Sequence, residues 1–213
     1  MNMFRIDSKI YEFLTLLVNL VILNILWLVC CIPVITAGAA SAAMYRVIFN
    51  FLTKQDDAVV KPFLRSFVGG FRQATPIWIL QLAVGAMLFA ECLYLLGEGN
   101  TLLLVVLSVL VAIYLGTFNC YYGLIARYNA GNGRALWNGF VLSMKHPIQT
   151  VLIALLNLFP VLLLVLFPNQ LVRFGLLWLL IGFSLIALLI AWFMLGTFKK
   201  YENTSENGED VNA

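Results

Sequence analysis

Six apolar stretches of about 20 residues follow one another along the chain, with short polar or turn-forming segments between them. Each stretch is long enough to cross the roughly 30 Å hydrocarbon core of a bilayer as an α-helix. We therefore predict an all-α membrane protein with six transmembrane helices, in a single polytopic domain over residues 1–200. The predicted spans cover residues 13–32, 35–52, 76–96, 102–125, 148–167 and 171–195.

Two of the connecting segments have the pattern of amphipathic helices. In residues 58–73, apolar side chains recur at spacings of three and four, and basic side chains occupy the other face. We predict that this helix lies on the cytoplasmic membrane surface or against a partner protein. A weaker pattern of the same kind covers residues 134–146, where Leu136, Phe140 and Met144 form the apolar stripe. The candidate partner surface of the first helix consists of Lys61, Phe63, Arg65, Phe67, Phe71 and Arg72.

The distribution of basic residues sets the predicted orientation. A six-span path places twelve of the thirteen Lys and Arg residues on one side of the membrane and leaves only Arg173 on the other. Because basic loops stay on the cytoplasmic side during insertion, both termini are predicted to be cytoplasmic. The polar, acidic residues 201–213 have too little apolar surface to order themselves, and we predict a disordered tail there.

The second apolar stretch leaves an alternative open, because it is short and carries Arg46. Arg46 lies about 9 Å from the end of the stretch, within snorkelling distance of the headgroups, so the stretch can still span. In the alternative, residues 36–52 lie in the membrane interface, the chain has five spans, and the amino terminus is outside. That layout divides the basic residues ten against three, so the charge bias favours six spans.

The amino-terminal region also imitates a secretory signal, since Arg5 and Lys9 precede an apolar run and small residues follow it. The run over residues 13–32 is longer than the usual signal core of about 7–15 residues. We therefore expect it to be retained as the first span.

Two prolines, Pro76 and Pro147, each open a predicted span directly after a predicted surface helix. Proline is tolerated in the first turn of a helix, where no intrahelical N–H bond is lost. Spans two and three with the helix between them therefore resemble spans four and five with theirs. Whether this weak internal repeat is a true duplication stays open; a true one would be of the parallel kind known in transporters.

Composition agrees with a membrane protein and excludes several functions. The chain is 62% apolar and 11% charged, with a mean hydropathy of +0.96, whereas soluble domains are roughly 45–50% apolar and 25% charged. Six spans use almost all of the 213 residues and leave no room for a soluble enzyme domain. The net charge of +3 is small, and its placement on one face matters more, because cytoplasmic anionic lipid attracts a basic surface next to the membrane. Nucleic acid is not an expected partner.

No sequence motif indicates catalysis or cofactor binding. There is no phosphate-binding glycine loop, no HExxH sequence and no nucleophile elbow. The cysteines, Cys30, Cys31, Cys92 and Cys120, lie in apolar stretches without the spacing of a metal site, so we expect small buried apolar residues. We predict that the protein is not an enzyme and has no catalytic residue, cofactor or metal.

Polar side chains within the spans are the remaining candidates for a functional site, because each costs free energy unless it finds a partner. Neutral amides more often hydrogen-bond between helices than bind a substrate, and we favour that structural role. Glu91, the only acid within a span, is predicted to form an interfacial pair with Arg173 rather than a proton or cation site. The candidate intramembrane polar residues are Asn19, Asn24, Glu91, Asn119 and Asn157, together with Gln81.

The segment Leu28 to Tyr45, LVCCIPVITAGAASAAMY, with the later blocks FLRSF at 63–67 and FRQA at 71–74, resembles the YesL-like family of small bacterial membrane proteins of unassigned function. The resemblance extends over nearly the whole chain and is distinctive before residue 80 or so. Gly70 stands where the family commonly has an asparagine. The resemblance implies a Gram-positive bacterial inner membrane and an association with carbohydrate uptake and utilisation, and it implies no catalytic residues.

Two functions of different classes are compatible with these patterns. We favour an accessory or regulatory protein that works beside a carbohydrate uptake system and presents residues 58–73 to a partner, such as an ABC transporter subunit or a sensor kinase. The alternative is a small solute transporter or a membrane subunit of one, supported by the weak repeat, by Pro160 and by the intramembrane amides. The chain lacks the Glu-Ala-Ala coupling core expected of an ATP-driven permease subunit. No pattern sets the oligomeric state.

Overall fold

Seven α-helices are present in the part of the chain that the computed structural model describes, which comprises residues 3–55, 58–128, 130–166, 175 and 178–209. A 3-10 turn at Val34–Thr36 precedes the second helix, and a π-helical turn at Trp178–Gly182 precedes the last. The helices are α1 (Met3–Cys31), α2 (Ala37–Thr53), α3 (Val60–Glu98), α4 (Thr101–Tyr128), α5 (Asn132–Lys145), α6 (Pro147–Leu166) and α7 (Phe183–Glu209).

Most of these helices have the length and apolar character of membrane spans. Among the described residues, α1, α3, α4 and the segments Val34–Thr53 and Trp178–Tyr201 are each long and apolar enough to cross a membrane. The bent pair α5 and α6 brings the number from five to six if it counts as one span. Large apolar side chains such as Met87 and Phe89 are exposed on the outside of the bundle, where lipid would cover them. The prediction of an all-α membrane protein is confirmed.

The turn between α1 and α2 depends on Pro33 and Thr36. Pro33 has no N–H to continue α1, and its backbone is extended, with φ −77° and ψ 109°. The Thr36 hydroxyl lies within hydrogen-bonding distance of the carbonyls of Cys30 and Pro33, acceptors that the end of a helix leaves without partners. Trp78 Nε1 donates to the Val34 carbonyl at 2.7 Å, so α3 holds this turn in place.

α2 lies at the centre of the bundle, in contact with α1, α3, α4 and α7. Its segment Val34–Thr53 is the most buried of the candidate spans, with 61% of the segment buried. Small residues from Ala37 to Ala43 let neighbouring helices approach closely. A Cβ added at Gly38 would lie only 2.5 Å from Trp78 Cβ. An interfacial helix would leave one face uncovered, so this burial favours a position of residues 36–52 inside the bundle.

α3 is a single helix of 39 residues, which joins the predicted surface helix to the predicted third span. The predicted boundary at Pro76 and the separate helix over 58–73 are therefore wrong. Pro76 lacks the N–H that would bond the Arg72 carbonyl, yet the helix continues through it. The adjacent Gln73 carbonyl accepts hydrogen bonds from other helices. Asn132 Nδ2 donates to the Gln73 carbonyl at 2.9 Å, and the Tyr121 hydroxyl donates to the same carbonyl at 3.3 Å.

The second predicted surface helix is present as α5, and a sharp break follows it. α5 and α6 meet at His146 with an angle of 106° between them. Pro147 begins α6, as predicted, at a position where a missing N–H costs nothing. α3 passes through Pro76 without such a break, so the two units compared as a repeat differ here. α6 then continues as a helix through Pro160.

α5 packs on α4 through small residues. Ala135, Gly139 and Ser143, one on each successive turn, are buried, whereas Phe140 and Met144 of the predicted apolar stripe are exposed. In a membrane, lipid solvates large apolar side chains, and small residues allow two helix backbones to approach. Two of the three stripe residues therefore face outward, while Leu136 is half-buried against the core beside the small residues.

The carboxyl-terminal helix extends further than predicted. α7 continues to Glu209, so residues 201–209 of the predicted disordered tail are helical, and residues 210–213 lie outside the described chain. A helix that is already nucleated extends at little cost, even into polar sequence. The end of predicted span five and the start of span six, with Arg173, also lie outside the described residues.

Candidate functional site

Basic residues gather at one end of the bundle, which we call the basic end. The carboxyl-terminal parts of α2, α4 and α7 meet there, with the Phe198 ring 6.2 Å from Phe49 and 5.7 Å from Tyr128. Short connections bring the start of α3, the helix α5 and the start of α6 to the same end. The described basic residues of α2 to α7 and their connections are Arg46, Lys54, Lys61, Arg65, Arg72, Arg127, Arg134, Lys145, Lys199 and Lys200.

A cavity of about 1070 Å³ opens between α2, α3 and α4 at this end, and we call it the basic cavity. Small-molecule sites typically measure about 300–1,000 Å³, so its size suits such a ligand. Deeper in the bundle the same helices are packed, since Ala39, Ala74 and Tyr121 are fully buried. The cavity is lined by Ala42, Arg46, Phe49, Asn50, Thr53, Gln55, Ala58, Lys61, Pro62, Arg65, Ser66, Gly69, Gly70, Gln73, Ile125, Ala126, Arg127 and Tyr128.

Four cationic side chains from three helices line the basic cavity, and no acidic side chain does so among the described residues. Arg46 comes from α2, Lys61 and Arg65 come from successive turns of α3, and Arg127 comes from α4. Arg46 Nε donates to the Ala126 carbonyl at 2.9 Å, which ties α2 to α4. The Arg46 side chain, predicted to lie within snorkelling reach of the headgroups, lines this cavity at the basic end.

The inner wall of the basic cavity is held by Gln73. Its side-chain Nε2 donates to the Ala130 carbonyl just after α4, and its own carbonyl accepts from Asn132 of α5 and Tyr121 of α4. The Tyr121 hydroxyl also lies 3.3 Å from Asn132 Oδ1. These bonds join three helices close to Pro76, where a helix without such partners would tend to bend.

The predicted partner surface divides into three parts. Phe63 is fully buried against the core. Phe67 is half-buried, and its ring stacks on the Phe63 ring with 6.3 Å between the ring centres. Phe63 therefore cannot contact a partner without rearrangement, and that part of the prediction is wrong. Lys61 and Arg65 line the basic cavity. Of the six predicted partner-surface residues, only Phe71 and Arg72 are exposed outside the basic cavity.

Three of the predicted intramembrane amides bind protein groups. The fully buried Asn24 donates to the Leu179 carbonyl at 2.6 Å and accepts from the Ser184 amide at 2.9 Å, which joins α1 to the start of α7. Asn119 accepts from the Tyr45 hydroxyl at 2.7 Å. Asn157 Nδ2 donates to the Ile153 carbonyl of its own helix at 2.7 Å. None of these amides lines the basic cavity.

The other three predicted intramembrane polar residues, Gln81, Asn19 and Glu91, also lie away from the cavity. Gln81 Oε1 accepts from the Tyr122 hydroxyl at 2.7 Å. Asn19 is half-buried on α1, and Glu91 is exposed on α3. The predicted pair between Glu91 and Arg173 stays a prediction, because Arg173 lies outside the described residues.

A smaller cavity of about 520 Å³ lies where α5, α6 and α7 meet, beside Lys145, His146 and Lys200. His146 Nε2 lies 3.1 Å from the Tyr201 hydroxyl, and the Thr197 hydroxyl donates to Gln149 Oε1 at 2.6 Å. These contacts join α7 to the bend between α5 and α6.

Metal-binding clusters are absent from the described residues, where no three His, Cys, Asp or Glu side chains come close enough to hold an ion. The four cysteines are free thiols, with Cys120 buried and the others half-buried. We therefore find no geometry there for metal chemistry.

Several residues of the basic cavity had no place among the predicted site residues. They are Arg46, Asn50, Gln73 and Arg127, which lie on three helices with ordinary local sequences. Two signals were available: an arginine within an apolar span, and a glutamine three residues before a proline. Neither signal alone indicates a shared cavity, because the helix pairing that brings them together is not visible in sequence.

Fold and site together define an integral membrane protein of all-α class with a basic cavity at one end. The family model "Protein of unknown function, DUF624" matches residues 20–92, about a third of the chain. The matched segment contains α2 and most of α3, and so provides two of the three walls of the basic cavity. The chain is thus similar to an uncharacterised family. No curated protein and no solved structure matches it.

Proposed function

We propose that the protein is a non-catalytic accessory or regulatory component of a solute uptake system, and that it binds a small anion from the cytoplasm. One observation carries this function: a cavity open at the basic end is lined by cations from three helices and closed inside by packed side chains. Such a shape suits reversible binding, because a ligand enters and leaves by the same opening.

The same geometry favours binding over transport. A transported solute needs polar groups along its path, and in transporters these lie within the spans. Here Asn24, Asn119 and Gln81 are engaged with neighbouring helices, and none lines the basic cavity. Their contacts support a structural role.

The particular uptake system is inferred from the sequence resemblance. Similarity to the YesL-like family supports a carbohydrate uptake or utilisation system and a bacterial plasma membrane, with an ABC transporter subunit or a sensor kinase as partner. Phe71 and Arg72, exposed on α3 beside the basic cavity, provide an apolar and a cationic contact for that partner. Binding of the anion would then be sensed next to the docking surface.

Co-purification tests the accessory function. We expect the tagged full-length protein, extracted from its native membrane in mild detergent, to retain a transporter subunit or a sensor kinase. The double substitution Phe71→Ala and Arg72→Glu should reduce the amount of recovered partner at least about tenfold, because it removes an apolar anchor and a charge contact. The control is Leu93→Ala, an exposed residue further along α3. Recovery of the protein alone, or solute flux by the purified protein in proteoliposomes, would refute the accessory function.

The cytoplasmic position of the basic end has its own test. We expect green fluorescent protein fused to either terminus to fluoresce, and alkaline phosphatase inserted after Gly99, between α3 and α4, to be active. The physical reason is the retention of basic loops on the cytoplasmic side. An active phosphatase fusion at the amino terminus would contradict the six-span orientation, whatever partner the protein has.

A further inference from the structure

We propose that the basic cavity is a binding site for a small organic phosphate that carries hydroxyl groups. This assignment deepens the proposed function by naming the ligand class. Two exposed cations on one face of α3, Lys61 and Arg65, carry it together with the cavity that they line. They lie four residues apart, so their side chains leave successive turns of the helix side by side.

The charge of the site suits a phosphate. Arginine offers a planar fork of N–H donors that matches two phosphate oxygens, and lysine adds a point charge. The described lining carries four cations and no carboxylate, whereas a phosphate monoester carries a charge of about −1.5 to −2 at neutral pH. Asp56 and Asp57, between Gln55 and Ala58 in sequence, lie outside the described residues.

The rest of the lining suits an organic group with hydroxyls. Asn50 and Ser66 add an amide and a hydroxyl, groups that exchange hydrogen bonds with alcohols. Phe49 contributes an apolar wall for a carbon skeleton. A Cβ added at Gly69 or Gly70 would meet no atom within 4 Å, so these positions of the cavity wall leave free space for a ligand. A bare phosphate ion would fill only a small part of the roughly 1070 Å³.

Two sources could supply this chemistry. A soluble phosphate ester can enter from the aqueous phase, and the phosphoglycerol headgroup of an anionic lipid can enter from the bilayer surface, where basic pockets between spans are known to bind headgroups. The probes are therefore glycerol 3-phosphate for the first source and phosphatidylglycerol for the second. Glycerol and phosphatidylcholine are their matched controls, each lacking the net negative charge.

The test uses the purified full-length protein. Calorimetric titration in a neutral detergent should show binding of glycerol 3-phosphate but not of glycerol, if the ligand is soluble. If the ligand is a lipid, native mass spectrometry from nanodiscs should show retained phosphatidylglycerol but not phosphatidylcholine. Either result supports a phosphate site and identifies its source. Absence of both would overturn it.

Two arginines of α3 provide a matched pair of variants. Arg65→Gln removes a cation from the basic cavity, whereas Arg72→Gln removes an exposed cation seven residues further along the same helix and outside the cavity. We expect Arg65→Gln to weaken binding at least about tenfold, the usual effect of one charge-assisted hydrogen bond. Arg72→Gln should leave binding within about twofold. Equal weakening by both would show only a diffuse surface charge and overturn the site.

The outcomes are separable from those of the accessory function. Phosphate binding without any co-purified partner would support this site and refute the accessory function. A co-purified partner without phosphate binding would support the accessory function and refute this site. A variant that combines Lys61→Gln and Arg65→Gln, both at exposed positions, should weaken phosphate binding further than Arg65→Gln alone, because it removes two cations from the cavity.

Discussion

Replacing Gly139 with alanine is expected to destabilise the protein more than any other single methyl addition on α5. An added Cβ would lie 2.8 Å from the Thr117 carbonyl oxygen and 3.2 Å from the Tyr121 amide nitrogen, both backbone atoms of α4. Neither atom can rotate away, so the two helices must separate. Overpacking of this kind typically costs about 1–3 kcal/mol, more than the gain of about 1 kcal/mol from replacing glycine in a helix.

The measurement is the thermal midpoint of the detergent-solubilised protein, followed by size-exclusion fluorescence. A loss of about 2 kcal/mol should lower the midpoint by at least about 4 °C for a chain of this size. Gly133→Ala is the matched control, because the same helix carries it and an added Cβ there meets no atom within 4 Å. If both variants melt at the wild-type temperature, α5 does not pack on α4 through Gly139.

The second large effect is expected from Asn24→Leu. Asn24 is fully buried and holds the π-helical turn before α7 through the Leu179 carbonyl and the Ser184 amide. Leucine has a similar shape but no polar atoms, so both backbone groups would lose a partner in an apolar environment. Each buried group left without a hydrogen bond costs about 1–3 kcal/mol. We expect the thermal midpoint to fall and α7 to become sensitive to protease.

Asn157→Leu is the control for this change. Within the described part of the chain, Asn157 donates to the Ile153 carbonyl of its own helix α6 and is half-buried, so its replacement there removes a bond within one helix. Hydrogen bonds between helices in membranes average about 0.6 kcal/mol, and a bond within one helix should matter less. Similar stability losses in the two variants would mean that Asn24 acts through its volume and not through its two hydrogen bonds.

The basic residues of α3 show how much of the candidate site was predictable. Periodicity correctly placed Lys61, Arg65 and Arg72 on a helix, and their charge pointed to an anionic partner. The same periodicity made Phe63 part of an exposed stripe, whereas the structure buries it completely. A stripe at helical spacing shows that a face is apolar, and it does not distinguish lipid, a partner and the protein's own core.

The two prolines show a second limit of local sequence. Pro76 and Pro147 have similar settings, but α3 continues through the first and the chain turns by 106° before the second. Groups distant in sequence contact α3 beside Pro76, where Asn132 and Tyr121 bind the Gln73 carbonyl. Proline removes a donor in both places; the surrounding helices decide whether the helix survives.

Sequence by itself determined that the protein lies in a lipid bilayer, that it is all-α, and where its spans approximately lie. Transfer of about 20 apolar residues into lipid depends on their composition and hardly on neighbouring segments. Sequence also determined that the basic residues collect at one end. Tertiary structure alone decided that α2 lies at the centre, that small residues of α5 face α4, and that cations of three helices surround one cavity. These features depend on contacts between segments far apart in the chain, where close packing and mutual hydrogen bonding select one arrangement of the helices.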